Sequence, residues 1–578
     1  MRSVAPLLLA LGASATAVAA PTPDVVTLSI VATTDLHGNI APRNDQGGLA
    51  MFGGYLKNLR AARAADGGAV LVVDSGDTFQ GGIDSDLSEG AVVIDAYAAL
   101  GYAAAVIGNH EFDFGAADGP GARQQRGGDP RGAIQARAAQ ASFPLLAANL
   151  IDETTGERVA WRNVRASTLV TTAGVKVGIV GVMASDALRA TLRANVHGLR
   201  VAPLAAAVAA EATKLRSEGA EVVIVGAHAG GACGEFGKPT DLSSCDPSSE
   251  IFALAQDLPR GLVDVIAAGH THQGVAHEVA GVAIVQAYAL GRAFGRVDVA
   301  FDRRARRVVG HEIFAPRDIC AAATATGGCG AQSGDATAVY EQRVVAADPA
   351  IDAAMAPALA RVRALQATPL GVVLDTPIGR SGAAESPLGN LFADAERERT
   401  GADVAINNNV RGGLRTDLAE GALTFGALYD VFPFDNRLVT LTITGAELRA
   451  LLADEVRRDR RGALGLSGVR VRVSCSPAGE LGVEVTRQNG APLDVDKPLG
   501  ADEQIVVAAM DSLVLGQVFA AVPAAGGNNI PADAPVLREV VEDWLRARGG
   551  HLAANEFVQA ERPRWQYVDD DLTACLKR

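Results

Sequence analysis

The stretch Gly108-Asn109-His110-Glu111-Phe112-Asp113 follows an apolar, strand-like run and places an amide, an imidazole and two carboxyl groups within six residues. Four similar short segments each follow an apolar run in the first half of the chain: Thr34–Gly38 (TDLHG), Gly76-Asp77, Ala227–Gly230 (AHAG) and Gly269–His272 (GHTH). Carboxylate and amide oxygens together with imidazole nitrogens are the ligands that a pair of borderline divalent cations prefers. The five segments therefore predict a dinuclear metal centre able to hydrolyse phosphoesters.

The apolar runs ahead of these segments predict an α/β domain. They are dense in Val, Ile and Ala without clean alternation, which is typical of strands covered on both faces. Ala-, Arg- and Leu-rich stretches between them predict helices at Gly53–Ala64, Ala91–Ala99 and Ala205–Ser217. Ligands of α/β folds bind beyond the carboxyl ends of the strands, where the five segments fall. The predicted strands are Val25–Ala32, Val70–Asp74, Ala103–Ile107, Leu145–Asn149, Val175–Val182, Val222–Val225, Val263–Ala267 and Ala283–Gln286.

The length of 578 residues and a globular composition, with 48% apolar and 20% charged residues, predict several domains. Asp348–Gln366 is Ala-rich and predicts one connecting helix. A second unit begins near Pro369, and its strands alternate with helices to roughly Trp565; Ser386 and Pro387 are typical of a helix start. The net charge of −14 argues against a nucleic-acid polymer as partner, because polymer phosphates require a basic surface.

The N-terminal segment indicates export. Arg2 precedes the short apolar run Val4–Val18, and Ala17-Val18-Ala19 fits a signal-peptidase site, so residues 1–20 are expected to form a signal peptide. The alternative is an uncleaved anchor, for which the apolar run is short. No later run is long and apolar enough to span a bilayer. We therefore expect a soluble, periplasmic or secreted protein.

The six cysteines agree with export. Cys233 and Cys245 bracket one small-residue loop and Cys320 and Cys329 bracket another, which favours two local disulfides. Cys475 and Cys575 remain. A zinc knuckle is the alternative, but no Cys-x-x-Cys spacing supports it.

Seven side chains in the five segments are candidate metal ligands. Asp35 and His37 are alternate residues at a strand end and can reach one ion. A carboxylate can bridge two cations, which makes Asp77 the candidate bridge. The other candidates are the amide of Asn109 and the imidazoles of His228, His270 and His272. Seven ligands for two ions leave coordination positions for water and substrate.

Taken together, these motifs resemble the calcineurin-like metallophosphoesterases, and with the second unit the chain resembles the exported 5′-nucleotidase family, which includes periplasmic UDP-sugar hydrolases. The resemblance implies a four-layer αββα catalytic domain, a separate C-terminal α/β substrate domain, and a rotation of the two domains. The expected divisions are 24–315 for the dinuclear-metal phosphoesterase domain, 316–368 for a disulfide loop and the connecting helix, 369–567 for the substrate-binding domain and 568–578 for a tail.

The resemblance also implies which residues share an ion. One ion is expected at Asp35, His37, Asp77 and His272, and the other at Asp77, Asn109, His228 and His270. Zn, Mn, Co and Fe suit mixed nitrogen and oxygen ligands, and Mg is possible.

His110 is not needed as a ligand. A carboxylate three residues later, at Asp113, can fix the tautomer of His110 and raise its pKa. His110 is therefore expected to stabilise charge on the scissile phosphate or to protonate the leaving oxygen, with Asp113 orienting it. The family carries the same pair. The alternative for Asp113 is a capping or turn residue ahead of Gly115.

The second unit holds the candidate substrate residues. Arg415 ends an Asn- and Gly-rich segment and offers a planar fork for phosphate. Similar family segments contact substrate, which implies Asn409 and Arg415, and the family places a base-stacking ring at Phe434. Arg380 is a second anion candidate or a solvated loop residue. The chain departs from the family where a second aromatic is expected: Ser512 or Leu513 stands there, and Gly526-Gly527-Asn528-Asn529 comes late.

These observations predict a metal-dependent phosphoric ester hydrolase. The leading hypothesis is an exported, monomeric two-metal enzyme that cleaves nucleoside 5′-monophosphates to nucleoside and phosphate by attack of metal-activated water. Nucleotide sugars and 2′,3′-cyclic nucleotides are further candidate substrates. The alternatives are a related hydrolase of another phosphoester or a sulfur ester, and a metal- or nucleotide-binding protein without turnover.

Overall fold

The computed structural model describes residues 24–43, 45–117, 128–322, 328–329, 337–380, 385–409, 413–458, 463–488, 497–516, 518–520, 522, 531, 534–569 and 572–576. The predicted signal peptide lies outside these residues. The α-helices are α1 Gly48–Asp66, α2 Ile83–Asp86, α3 Ala91–Leu100, α4 Gly132–Gln140, α5 Arg193–Val196, α6 Leu204–Ser217, α7 Glu250–Asp257, α8 Pro349–Gln366, α9 Pro387–Thr400, α10 Phe425–Val431, α11 Gly445–Arg457, α12 Asp511–Val514, α13 Leu537–Arg548 and α14 Thr573–Leu576. Short 3₁₀ helices lie at His110–Phe112, Ala187–Ala190 and Ala554–Glu556.

The N-terminal part holds most of the strands. They are β1 Val25–Thr33, β2 Ala69–Asp74, β3 Ala104–Val106, β4 Leu145–Leu146, β5 Leu150–Asp152, β6 Val164–Arg165, β7 Ser167–Thr172, β8 Val175–Met183, β9 Leu199–Val201, β10 Val222–His228, β11 Val265–Ala268, β12 Gly274–Val279, β13 Val282–Ala287, β14 Ala293–Asp302, β15 Arg307–Asp318, β16 Val339–Tyr340 and β17 Arg343–Val344.

Two large sheets face each other in this part of the chain. One has the order β15-β14-β1-β2-β3-β4-β6 and the other β12-β13-β11-β10-β8-β7. In β1, Leu28 and Ile30 belong to the core between the sheets, whereas Val31 belongs to the core under the helices. Because both faces of the central strands are covered, their sequences are rich in apolar residues on both faces. The predicted αββα architecture is confirmed.

The strands at the sheet margins differ from the sequence prediction. β7, β12, β14 and β15 pair antiparallel to their neighbours and were not among the predicted strands. β15 is an edge strand whose residues are mostly exposed or half-buried, so it lacks the apolar run that identifies a central strand. The predicted strand Leu145–Asn149 is shorter, because the Ala148 amide donates to Gly181 of the other sheet.

The C-terminal part has its own core and three smaller sheets, in the orders β20-β18-β27, β21-β26-β19-β22 and β25-β24-β23-β28. Helix α9 begins as predicted, with the Ser386 hydroxyl accepting from the Gly389 amide at 2.8 Å and Pro387 at the first position. Helix α8 spans the predicted connector and contains Pro357. The strands are β18 Pro369–Leu374, β19 Val404–Asn408, β20 Gly421–Thr424, β21 Leu438–Thr444, β22 Leu464–Ser467, β23 Val469–Cys475, β24 Leu481–Arg487, β25 Lys497–Pro498, β26 Gln504–Met510, β27 Gly550–Leu552 and β28 Trp565–Tyr567.

All six cysteines are paired. The two local disulfides favoured from the sequence, Cys233–Cys245 and Cys320–Cys329, are present, and Cys475–Cys575 ties the C-terminal tail to β23. The pairing leaves no thiolate for a zinc knuckle. None of the helices in the described part of the chain combines the length and apolar character needed to cross a membrane.

Candidate metal centre

The seven candidate ligands meet at one edge of the two sheets. β1, β2 and β3 are parallel neighbours, as are β8, β10, β11 and β13, so their carboxyl ends lie on a common side. β1 is followed by Asp35 and His37, β2 by Asp77, β3 by Asn109, β10 ends at His228, and β11 is followed by His270 and His272.

Five of these residues have left-handed backbone conformations, which non-glycine residues rarely adopt. The φ angles are +50° at Asp35, +48° at His37, +55° at Asp77, +77° at His270 and +58° at His272. Each costs on the order of 1–3 kcal/mol, and such conformations concentrate at functional sites. Sequence alone gives no signal for them, because the turns that hold them depend on contacts between the two sheets.

One cluster forms around His228. Its Nδ1 donates to the Ser75 carbonyl at 2.9 Å, so the neutral form of His228 carries its lone pair on Nε2. That Nε2 lies 3.0 Å from Asn109 Oδ1, 3.1 Å from Asp77 Oδ2 and 3.1 Å from His270 Nδ1. Several lone pairs thus converge on one point, and a divalent cation there satisfies all of them.

A second cluster forms around His37. Its Nδ1 donates to the Gln80 carbonyl at 2.8 Å, which again directs the Nε2 lone pair inward. This Nε2 lies 3.1 Å from His272 Nε2, which is 3.4 Å from Asp35 Oδ1. Burial lowers the pKa of His37, which favours the neutral imidazole that a metal requires.

Asp77 lies between the two clusters. Its Oδ2 is 3.1 Å from His228 Nε2 and 4.0 Å from His37 Nε2. Burial by itself raises the pKa of Asp77, but His228, His110 and His37 together hold that pKa well below its ordinary value. Asp77 is therefore an ionised carboxylate within reach of both clusters, as a bridging ligand must be.

Glu111 supports the centre, although the sequence motif gave it no role. Its Oε2 accepts from the amides of Asp77 at 2.9 Å and Gly108 at 2.6 Å, and its Oε1 accepts from the Thr78 amide and hydroxyl at 2.6 and 2.8 Å. Burial raises the pKa of Glu111, and the donors from Thr78 oppose that rise. One buried carboxyl group thus joins the loops that carry Asp77 and Asn109.

The loop after β2 has a second buried support. Asp74 Oδ1 accepts from the Gly76 amide at 2.8 Å, and its Oδ2 accepts from Thr33 at 2.6 Å and Tyr97 at 2.9 Å. Burial raises the pKa of Asp74 to about 8. Asp74 therefore fixes the turn that presents Asp77, which sequence reasoning missed because Asp74 resembles an ordinary strand-end residue.

His110 and Asp113 lie beside the clusters. His110 Nδ1 is 2.5 Å from Asp113 Oδ2, and the His110 ring packs edge-on against His37 with centroids 5.0 Å apart. Burial opposes protonation of His110, but Asp113 and Asp77 outweigh it and raise the pKa of His110 to about 10. Asp113 and Asp77 thus favour the protonated form of His110, which lies beside His37.

Three of the four candidate substrate residues meet in the C-terminal part. The Arg415 guanidinium lies over the Phe434 ring, 4.8 Å from its centroid, and Arg380 donates to the Arg415 carbonyl at 2.6 Å. Asn409 is instead almost fully buried, accepts from Asn407 at 3.0 Å and packs against Gly389. Arg380 also pairs with Asp417.

The aromatic loop contacts the metal-side loop. Gln80, whose carbonyl accepts from His37, donates through its side chain to the Pro433 carbonyl at 3.5 Å, next to Phe434. Phe434, one of the candidate substrate residues, therefore lies on a loop that touches the loop carrying Asp77.

The two parts of the chain match two family models. Residues 28–274 match the calcineurin-like phosphoesterases, and residues 366–499 match the 5′-nucleotidase C-terminal domain. The chain belongs to the 5′-nucleotidase family of metallophosphoesterases. It is 28% identical over 450 residues to endonuclease YhcR of Bacillus subtilis, a match covering 75% of this chain and 33% of that longer protein. It is 26% identical over 495 residues to protein UshA of Yersinia enterocolitica, covering 81% and 83%.

The fold is that of solved members of the 5′-nucleotidase family. A 5′-nucleotidase precursor from Thermus thermophilus superposes with a TM-score of 0.58 at 22% identity, covering 94% of this chain and 100% of that one. As a 5′-nucleotidase-family enzyme, this protein is a metal-dependent phosphoester hydrolase. Calcineurin-like phosphoesterases use a dinuclear divalent centre, and the donor set described above fits one.

The second aromatic residue that the 5′-nucleotidase family places in the base-binding site is not found near Ser512. Ser512 is exposed at the start of α12, and Leu513 is buried. The neighbouring Asp511 accepts from Asn436 at 2.8 Å, two residues after Phe434. No aromatic ring is therefore contributed by α12, and Gly526–Asn529 lie outside the described residues.

Proposed function

We propose that this protein is an exported two-metal phosphohydrolase that cleaves nucleoside 5′-monophosphates to nucleoside and phosphate. The observation that carries the proposal is the position of Asp77, whose Oδ2 faces the inward nitrogens of both His228 and His37. One ion would be held by Asp35, His37, Asp77 and His272, and the other by Asp77, Asn109, His228 and His270. Zn, Mn, Co and Fe fit this donor set, and Mg is a weaker candidate.

Bound divalent cations would lower the pKa of water and polarise the phosphate. His110, whose protonated form Asp113 favours, stabilises charge on the phosphate or gives its Nε2 proton to the leaving oxygen. Asp113 keeps Nδ1 protonated and so presents Nε2 to the substrate. The chain needs no nucleophilic serine or cysteine for this chemistry.

The cluster of Arg415, Arg380 and Phe434 supports a nucleotide substrate. Phe434 offers a ring face for a base, and Arg415 and Arg380 offer cationic forks for an anion. Because the Arg415 guanidinium lies over the Phe434 ring, a stacking base would compete with the arginine for that ring. We also propose Asn409, which packs against Gly389, as a substrate residue. Nucleotide sugars and 2′,3′-cyclic nucleotides offer the same groups.

Three disulfides support an oxidising compartment, the periplasm or the exterior, and we propose residues 1–20 as the signal peptide. We also propose the divisions 24–315, 316–368, 369–567 and 568–578, and a monomeric enzyme, which light scattering would test.

The experiment is turnover by purified protein supplied with Mn²⁺, Zn²⁺, Co²⁺ or Mg²⁺. The substrates are AMP, UDP-glucose, 2′,3′-cyclic AMP and p-nitrophenyl phosphate. We expect AMP to be cleaved much faster than the aryl phosphate, and elemental analysis to find two metal ions per chain. Asp77→Asn should lose both the AMP turnover and the two-ion content. The exposed control Asp257→Asn should keep both. Cleavage of the aryl phosphate alone would show that the enzyme is a broader phosphoesterase and not a nucleotidase. The lack of an aromatic residue in α12 favours this alternative. No turnover with any metal would refute the proposal.

A further inference from the structure

The segment after the 3₁₀ helix Ala187–Ala190 lies against the loop that carries His110. Thr191 Oγ1 donates to Asp113 Oδ1 at 2.5 Å, while the other oxygen, Oδ2, is 2.5 Å from His110 Nδ1. The two oxygens of one carboxylate are therefore held by two different side chains. The three groups form the series Thr191, Asp113, His110.

Two further side chains join the same segments through three hydrogen bonds. Asn195 Nδ2 donates to the Phe112 carbonyl at 2.7 Å and to the Asp113 carbonyl at 3.3 Å. Asn109 Nδ2 donates to the Ala190 carbonyl at 3.2 Å, which turns its Oδ1 toward His228. Residues 190–195 thus hold both ends of the turn from Asn109 to Asp113.

The carboxylate of Asp113 can rotate about its Cβ–Cγ bond when only one oxygen is bound. A second bond, from Thr191 to the other oxygen, fixes the plane of the carboxylate and with it the direction of the His110 ring. A bond between a neutral donor and a charged acceptor is stronger than a neutral pair, so one hydroxyl is sufficient for this. Among the described residues, the side-chain partner of the Thr191 hydroxyl is Asp113, which is not a candidate metal ligand.

We propose that Thr191 is a positioning residue for His110 and acts through Asp113. The proposal rests on the proposed role of the His110–Asp113 pair but not on the identity of the substrate. Thr191 orients the carboxylate, the carboxylate orients the imidazole, and the imidazole meets the phosphate.

Turnover variants separate this role from a structural one. Thr191→Val keeps the shape and removes the donor, and we expect kcat to fall about tenfold with KM, metal content and melting temperature unchanged. Thr191→Ser keeps the donor and should retain kcat, and Thr171→Val, on the exposed side of β7, controls for the substitution itself. In an Asp113→Asn background, Thr191→Val should cause no further loss, because its effect passes through that carboxylate.

Turnover of all variants is measured with both AMP and p-nitrophenyl phosphate. The double-mutant cycle of Thr191→Val and Asp113→Asn therefore remains decisive if the enzyme proves not to be a nucleotidase. A second readout needs no turnover. In metal-free protein labelled with ¹⁵N-histidine, the downfield Nδ1 proton of His110 is assigned by its absence from His110→Ala. This proton should exchange with water faster in Thr191→Val than in the wild type. In Thr191→Ser its exchange rate should not change. Wild-type kcat in Thr191→Val, an additive loss in the Asp113→Asn background, or an unchanged Nδ1 resonance would overturn the proposal.

Discussion

His110 and His551 form the same type of ion pair in different surroundings. Both place Nδ1 near an aspartate oxygen, at 2.5 Å from Asp113 and at 2.6 Å from Asp375, but the second pair is exposed and lies in the C-terminal part. Replacing His110 by alanine should lower kcat by roughly a hundredfold or more, because it removes a positioned acid and a cation. Both metal ions should remain bound, because the seven candidate ligands are untouched.

His551→Ala is the matched control and should retain full activity. Steady-state kinetics and elemental analysis on the two variants decide the matter. If His110→Ala loses a metal ion, His110 is a ligand and its assignment as an acid is wrong.

Glu111 is a different case, because it acts on the backbone of the ligand loops. Glu111→Gln replaces one carboxylate oxygen, which accepts two hydrogen bonds, with an amide nitrogen, which donates. If that nitrogen replaces Oε2, the backbone amides of Asp77 and Gly108 lose their acceptor; if it replaces Oε1, the amide and hydroxyl of Thr78 lose theirs. We expect a loss of about 3 kcal/mol in the free energy of unfolding and weaker metal binding. Denaturant unfolding and metal titration measure these effects, and Glu218→Gln, on the exposed end of α6, should change neither.

At the scale of elements, α9 contains a carboxyl group that the fold does not satisfy. Glu396 is fully buried, and neither side-chain oxygen has a hydrogen-bond partner among the described residues. Burial therefore raises the pKa of Glu396 well above its ordinary value. A raised pKa means that the folded state binds this proton more tightly than the unfolded state. The contribution of Glu396 to the stability of the C-terminal part should therefore be most favourable below about pH 4.5. This contribution should become less favourable as the pH rises.

Glu396→Met should remove that pH-dependent loss and stabilise the protein by about 1–2 kcal/mol at pH 7. Thermal unfolding from pH 5 to pH 8 measures both effects, with Glu420→Gln on the surface as control. A Glu396→Met variant that is less stable than the wild type at pH 8 would show that the carboxylate has a partner.

The elements differ in how well the sequence predicts them. β1 and β10 were predictable because most residues on both faces of each are buried and most of those residues are apolar. β15 was not, because an exposed edge strand such as Arg307–Asp318 needs apolar residues on only part of its surface. The candidate ligands were predictable since chemistry restricts them to a few residue types. The supports Glu111, Asp74 and Thr191 were not, because their roles depend on contacts between segments that are distant in sequence.

At the scale of the whole molecule, a cluster of half-buried charged side chains around the buried Tyr429 joins the two parts of the chain. Asp86 of α2 accepts from the Tyr429 hydroxyl of α10 and from the Gly81 amide at 3.0 Å. Arg538 of α13 lies over the Tyr429 ring at 4.5 Å and pairs with Asp435 at 2.6 Å. Ile83, Val362 and Tyr429 form an apolar cluster beside it, so the connecting helix α8 takes part in the same contact.

The titration of Asp86 should make this contact depend on pH. Burial, followed by the charge of Asp435, raises the pKa of Asp86 from its ordinary 3.8 to about 8, while Tyr429 and Arg538 oppose the rise. Contact between the two parts is then favoured most below about pH 4 and loses that contribution as the pH rises toward 8, because docking takes up a proton in this window. We expect the radius of gyration from small-angle X-ray scattering to increase from pH 5 to pH 9. Asp86→Asn, which cannot ionise, should remove the increase, and Asp257→Asn should not. An equal increase in Asp86→Asn and wild type would show that another group controls how the two parts of the enzyme meet.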